Sequence, residues 1–303
     1  MHVPTVRQLE CFVAVSDTLN FRVAAERCFI THPALSAQVQ QLEQTLGTRL
    51  FERDRRSVLP TDAGAGLIDS ARRILNDLND LTQAAHAFAS PLAGTLRLGV
   101  IPTVAPYVLP GAMAEVAARH PDLRLLLREG QTDDLVEGLH DGKLDLLLLA
   151  LEADLNGATT MELSKDRFVL AVPPDHRFKQ RRRVRLSDLA GEQVLLLEDG
   201  HCLRTQALPL CTTAGASEVG DFRASSLTTL VQMVAAGVGV TLLPEMSIAT
   251  EAQPARDLGI IAIANAPSRT IGLAWRATSM RSREFRMLGE TIRRGLPASG
   301  RAG

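Results

Sequence analysis

The hydrophobic period of this chain changes once, near residue 90, and that change limits the possible folds more than any other feature. Before it, apolar residues recur at the three- and four-residue intervals of helices. After it, short apolar runs alternate with helical segments. A chain of 303 residues has room for two or three domains. The break is therefore read as a linker, at Ser90-Pro91-Leu92-Ala93-Gly94.

On the N-terminal side, residues 5–17 carry Val6, Leu9, Phe12, Val13 and Val15 at mostly helical spacing, and Asn20–Arg27 carries Phe21, Ala24 and Ala25 as a short second helix. Thr31 is a capping residue with Pro33 close behind it, a combination that starts helices. Leu35, Val39, Leu42 and Leu46 continue that helix, and Gly47 ends it. Two helices joined by a short turn make a helix-turn-helix candidate. Arg49–Thr61 reads as two short extended pieces about a basic tip, a wing. Residues 62–88 form a long helix striped by Leu67, Ile68, Ala71, Ile74, Leu75, Leu78 and Leu81. Such a stripe is either core or the contact for a second copy of the chain.

On the C-terminal side, strands are expected at Thr95–Ile101, Leu123–Glu129 and Asp145–Ala150, with helices at Pro102–Arg119 and Thr132–Asp141 between them. This alternation implies a largely parallel sheet. A second set has strands at Arg167–Val172, Gln193–Leu197, Val238–Leu243, Ile260–Ala264 and Thr270–Trp275, a helix at Ser225–Ala236, and a closing helix at Arg281–Arg294. Two α/β lobes would enclose a cleft, the usual place for a ligand.

Bulk properties exclude several classes. The longest uncharged apolar run, Leu146–Leu151, is far too short to cross a bilayer. The N-terminus has no apolar signal core, and four cysteines do not make a secreted disulfide framework. A cytoplasmic protein with reduced thiols, and no membrane, is expected. No metal site and no cofactor is expected either. Net charge is −1, and the first 60 residues hold seven arginines against six acids, so charge alone does not advertise nucleic acid.

Cys202 follows Gly200-His201, and Cys211 lies nine residues on, past Pro209. Zinc sites space cysteines more closely and use four ligands. On one helix these thiols would stand roughly 13 Å apart on opposite faces, whereas a disulfide needs Cα atoms about 4.4–6.8 Å apart. Pro209 disfavours an unbroken helix across the segment. By spacing alone, two unrelated buried cysteines and a pair that meets when the segment changes shape are both open readings. Residues 203–208 suit a short helix that would set Cys202 at its positive end and lower the thiol pKa, with His201 and Arg204 adding hydrogen bonds or charge. Cys11 and Cys28 fall among apolar helical positions and read as core filler.

The N-terminal 65 residues resemble the winged helix-turn-helix of LysR-type transcriptional regulators. The resemblance rests on Leu9-Glu10-Cys11-Phe12-Val13-Ala14-Val15, Ala24-Ala25-Glu26-Arg27, Pro33 through Glu43, Leu46-Gly47, Leu50-Phe51-Glu52-Arg53 and Thr61-Asp62-Ala63-Gly64. Thr31-His32 departs from the Ser-Gln often found there. The second half is similar to the peroxide-responsive activators of that family. The residues that carry this are Gly99–Tyr107, Glu129-Gly130-Gln131-Thr132, Leu197–Cys211, Phe222–Leu227 and Ala235–Pro244.

The resemblance implies a DNA-binding domain at 1–61, a linker or dimerisation helix at 62–90, and a two-lobed α/β regulatory domain at 91–303, built like a periplasmic binding protein. Its lobe I would span about 91–165 plus 268–303, and lobe II about 166–267. It implies that Cys202 is the peroxide-reactive cysteine and Cys211 the resolving one, with Thr103, Thr132, His201 and Arg269 around the peroxide. The residues themselves allow blander roles: Thr103 and Thr132 as helix caps, His201 as a turn residue, Arg269 as a solvated side chain. Pro33, Ser36, Gln38 and Gln41 on the recognition helix, with Arg53, Arg55 and Arg56 on the wing, are the DNA-contact candidates. The implied partners are promoter DNA, RNA polymerase, hydrogen peroxide as signal, a thiol reductant of glutaredoxin or thioredoxin type, and further copies in a homodimer or homotetramer. The basic run Lys179–Arg185 reads as a solvated loop. The competing functions are a LysR-type regulator sensing a small metabolite, a thiol peroxidase, for which the N-terminal 90 residues would have no role, and a solute-binding protein.

Overall fold

The computed structural model describes residues 3–53, 58–89, 91–252 and 257–297. It divides into two compact units, one built mainly on Met1–Phe88 and one on the chain from Ala89 onward.

The N-terminal unit contains α1 (Val6–Thr18), α2 (Phe21–Arg27), α3 (His32–Leu46), β1 (Phe51–Arg53), β2 (Val58–Pro60) and α4 (Asp62–Ala89). Local chemistry sets the helix ends. Thr5 and Gln8 form a reciprocal capping box at α1. The Asn20 side chain accepts from the amides of Arg22 and Val23, and the Thr31 hydroxyl from that of Ala34. Gly47 closes α3 at φ 68°, a left-handed conformation natural to glycine. The Glu43 carboxylate on α3 then accepts from the amides of Leu50 and Phe51, tying the start of the β1–β2 wing to the recognition helix. Phe12, Leu35, Val39, Leu42 and Phe51 form the core. The apolar stripe of α4 splits into two faces. Ile68, Ala71 and Leu75 pack on this core, whereas Leu67, Ile74, Leu78 and Leu81 are exposed.

The second unit runs β3 (Gly94–Val100), α5 (Ala105–Arg119), β4 (Leu123–Glu129), α6 (Thr132–His140), β5 (Leu146–Ala150), β6 (Thr159–Val172), β7 (Arg183–Val184), β8 (Gln193–Leu197), α7 (Cys202–Thr213), β9 (Ser217–Ala224), α8 (Leu227–Ala235), β10 (Thr241–Pro244), α9 (Ile248–Glu251), β11 (Gly259–Ile263), β12 (Ser268–Trp275) and α10 (Ser282–Arg294). The main sheet has the order β4-β3-β5-β12-β6-β11-β7, with β10 also on β6, while β8 and β9 pair separately. The parallel arrangement expected from the first βαβ set is present in its three strands, but the sheet as a whole is mixed. β3 is parallel to β4 and β5, but β12 and β6 run antiparallel to each other, β12 antiparallel to β5, and β10 and β11 antiparallel to β6. The reason is β6. It begins at Thr159, well before the expected Arg167, and its early half pairs along β12, the last strand in the chain.

Two hydrophobic cores lie along this sheet. The first collects Leu96, Leu98, Val100, Leu146–Leu149, Ile271, Trp275 and Phe285. The second collects Phe168–Val172, Leu195–Leu197, Leu230, Val231 and Leu243. β6 supplies both, Leu163 to the first and Phe168–Val172 to the second. The segment at 202–213 is one continuous helix, contrary to the break expected at Pro209. The ring is tolerated because Pro209 is exposed, yet it removes one backbone donor from the middle of the helix.

Candidate functional site

Cys202 stands at the first residue of α7. Gly200 two residues earlier adopts φ 92°, and a Cβ there would fall 2.1 Å from Gln131 Oε1. The left-handed φ favours glycine here, and the Gln131 side chain lies where a Cβ would point. Although α7 follows the second-core strand β8, the Cys202 side chain packs in the first core. Cys211, at the other end of the same helix, packs in the second core.

A buried polar cluster is placed against Cys202. Arg269 on β12 is 1 % exposed. Its Nε donates to Asp166 Oδ2 at 2.9 Å, its Nη1 to Thr103 Oγ1 at 2.9 Å and its Nη2 to the Thr103 carbonyl at 2.9 Å. Asp166 is the cross-strand partner of Arg269, and its second oxygen accepts from the Met246 amide. Thr103 is not a helix cap: α5 is capped by Val104, without a side-chain bond. Since Thr103 Oγ1 accepts from Arg269, its own proton is left to point elsewhere. Thr132 heads α6 and is buried, and its hydroxyl acts on the Cys202 thiol. It is therefore no cap either.

The electrostatics of Cys202 are a contest. Burial pushes the thiol pKa up, while the Arg269 charge, the Thr132 and Thr103 hydroxyls and the Leu203 amide pull it down. Burial wins, so the net direction is upward. The expectation of a lowered pKa is thereby corrected: the stabilising groups are present, but desolvation of the thiolate outweighs them in this conformation. The Cys211 thiol is pushed up to about 11 by burial alone, with no opposing charge.

Arg204 also departs from expectation. Its guanidinium turns from the thiol to Asp199 (2.8 Å), the Leu197 carbonyl (3.2 Å) and Glu218 (2.6 and 3.1 Å). Arg223 completes this network with a 2.6 Å bond to Asp199. Arg204 thus fastens the start of α7 to β9. The His201 ring is buried, with Nε2 3.8 Å from Glu198 Oε1. Sequence reasoning missed Asp166, Gln131 and Glu218. Each acts on a residue distant in sequence or across a strand pair, and none has a local signature. Among the described residues, no group of three or more His, Cys, Asp or Glu side chains could hold a metal ion, and no helix is long and apolar enough to cross a membrane.

Comparison with known proteins decides the family. Residues 6–65 match the bacterial regulatory helix-turn-helix of the lysR family, and residues 89–297 match the LysR substrate binding domain. The chain belongs to the LysR family. This LysR-family chain is 41 % identical over 288 residues to the DNA-binding transcriptional dual regulator OxyR of Escherichia coli K12, covering 95 % of this chain and 94 % of that protein. It superposes on a full-length OxyR variant from Pseudomonas aeruginosa with TM-score 0.79 and 31 % identity, covering 97 % and 96 % of the two chains. A hydrogen peroxide-bound OxyR mutant from Corynebacterium glutamicum gives TM-score 0.67 and 35 % identity, covering 97 % and 93 %. These relatives are regulators, not enzymes.

In this LysR-family regulator, Pro33 and Gln41 are exposed on α3, and Ser36 and Gln38 are half-buried beside Leu35 and Val39. The Arg53 side chain, Arg55 and Arg56 lie outside the described residues. In the basic run, Arg181 is engaged by Asp188 at 3.7 Å.

Proposed function

We propose that this protein is a hydrogen peroxide-sensing transcriptional activator whose switch is the Cys202–Cys211 pair. The observation that carries the reading is the placement of the two thiols. They occupy the two ends of one helix and two different cores, and only Cys202 has Arg269, Thr103 and Thr132 beside it. Peroxide entering this cluster would meet the Thr132 and Thr103 hydroxyls, both set against the Cys202 thiol, and a cation. The Cys202 sulfur attacks one peroxide oxygen and water leaves, giving a sulfenic acid. The Cys211 thiol then displaces the second water to form the disulfide.

Nine helical steps separate the Cα atoms by roughly 13 Å, so the disulfide is incompatible with an intact α7. Oxidation therefore draws Cys202 out of the first core and unravels the helix between the thiols, where Pro209 has already removed a hydrogen bond. A disulfide closing so short a loop is worth up to about 3 kcal/mol, which shifts a two-state equilibrium by about a hundredfold.

The remaining assignments follow the family. Residues 1–61 would read promoter DNA through Pro33, Ser36, Gln38, Gln41, Arg53, Arg55 and Arg56. Residues 62–90 would pair with a second copy through the exposed face of α4, and residues 91–303 would form a sensing domain built like a periplasmic binding protein. His201 joins the peroxide cluster in this reading. A cytoplasmic homodimer or homotetramer would recruit RNA polymerase when oxidised and be reset by a thiol reductant of glutaredoxin or thioredoxin type. The deciding experiment is Cys202→Ser. The variant should keep operator binding and lose the peroxide-induced change in footprint and transcription. A variant that still responds to peroxide refutes the reading.

A further inference from the structure

The N-terminal unit holds a second pair of thiols that the proposed switch does not use. Cys11 lies on α1 and is fully buried; Cys28 caps the C-terminus of α2 and is 8 % exposed. The two helices pack against each other, and both cysteines belong to the same small core. Cys28 Sγ lies 4.0 Å from the carbonyl oxygen of Glu10, the residue immediately before Cys11. Cys28 adds to the upward push that burial gives the Cys11 thiol. One turn before Cys11, the Arg7 guanidinium donates to the Cys28 carbonyl, and its charge acts on the Cys11 thiol. Two helices thus bring two thiols together beside a cation, at the point where α2 hands over to the turn leading into the recognition helix.

We propose that Cys11 and Cys28 are a second oxidisable pair, forming an intramolecular disulfide that locks the end of α2 to α1 inside the DNA-binding domain. Cys28 reacts first because, at 8 % exposed against 0 % for Cys11, it is the more accessible of the two. Hydrogen peroxide converts its thiol to a sulfenic acid and one water is released. The Cys11 sulfur then attacks the Cys28 sulfur, the S–O bond breaks, and the Cys11 proton leaves with the hydroxyl as a second water. Burial pushes the Cys11 thiol up to about 11, so it serves as the capturing partner and not as the first to react. The inference does not depend on the Cys202–Cys211 switch, and its test removes those residues.

The test uses the full-length Cys202→Ser/Cys211→Ser variant, in which Cys11 and Cys28 are the only thiols of four that remain. A mixture of isotopically light and heavy protein is exposed to graded hydrogen peroxide, denatured in N-ethylmaleimide and digested with trypsin. Cleavage after Arg7, Arg22, Arg27 and Arg49 puts the two cysteines in separate peptides. The expected result is joint loss of maleimide labelling at both residues, with a reducible cross-linked peptide carrying one isotope only. The wild-type chain, mapped in parallel, should show the same peptide. Retained labelling at both thiols, overoxidation of Cys28 without a link, or a link of mixed isotopes would each overturn the proposal.

Discussion

Arg269 grips Thr103 twice, donating 2.9 Å bonds to its hydroxyl and to its carbonyl. The carbonyl bond holds the backbone of Thr103 in place, while the hydroxyl bond orients the remaining proton. Thr103→Val separates the two, because it keeps the shape and the carbonyl bond but removes the hydroxyl. A hydrogen bond to a charged group is worth about 1.5–3 kcal/mol, so oxidation of Cys202 should slow by roughly tenfold to a hundredfold. Stopped-flow trapping of the sulfenic acid measures this. An unchanged rate would remove Thr103 from the peroxide cluster.

The pH dependence follows from burial. The Cys202 thiol lies above the ordinary cysteine value of about 8.5, so the reactive thiolate is a minor form at neutral pH. Its oxidation rate should rise by about tenfold per pH unit from 6 to 8, with no plateau in that range. Levelling below pH 7 would show that the thiolate-stabilising groups prevail over burial. The same sign applies to stability. A thiol whose pKa is raised in the fold contributes stability that is present at neutral pH and lost as pH climbs through its folded value. For Cys211, unfolding in urea should therefore become easier from the ordinary value of about 8.5 up to about 11.

Gly200 supplies a third test. Alanine there meets both a left-handed φ of 92° and the Gln131 side chain. Gly200→Ala should destabilise the second unit by about 1–3 kcal/mol. Adding Gln131→Ala should recover the steric part and leave the conformational part. Denaturation midpoints for the single and double variants measure both. A neutral single substitution would mean that the turn into α7 is easily remade.

Pro209 tests the link between helix stability and redox poise. Pro209→Ala restores a backbone donor in the middle of α7 and strengthens the reduced form. A helix-interior proline costs about 3 kcal/mol, so the reduction potential of the Cys202–Cys211 couple should become less negative by up to ~60 mV. Equilibration with glutathione buffers reads the shift. An unchanged potential would indicate that α7 stays helical in the oxidised form.

These elements also show what was legible beforehand. The recognition helix could be read because Thr31, Pro33 and Gly47 act within one turn of their own position; α1 and α2 could be read from the spacing of their apolar residues. The cysteine segment could be read as chemistry, since Gly200, His201 and Cys202 adjoin in sequence. The antiparallel middle of the sheet could not, because β6 pairs with a strand about a hundred residues later. Arg204 looked like a cation for the thiol, but Glu218 on β9 claims it. The direction of the Cys202 pKa was misjudged because burial is a property of the assembled core, which a local motif does not report.

Strand β6 has a mechanical consequence. Thr159–Val172 runs unbroken through both cores and carries Asp166, the anchor of Arg269, between its contributions to each. The two cores therefore share one backbone segment. In the proposed switch a disturbance that begins at Cys202 travels with α7 and emerges along the outer surface of α7 and β9. A peroxide molecule of only two oxygen atoms would thereby be reported as a change in surface shape that another protein chain can feel.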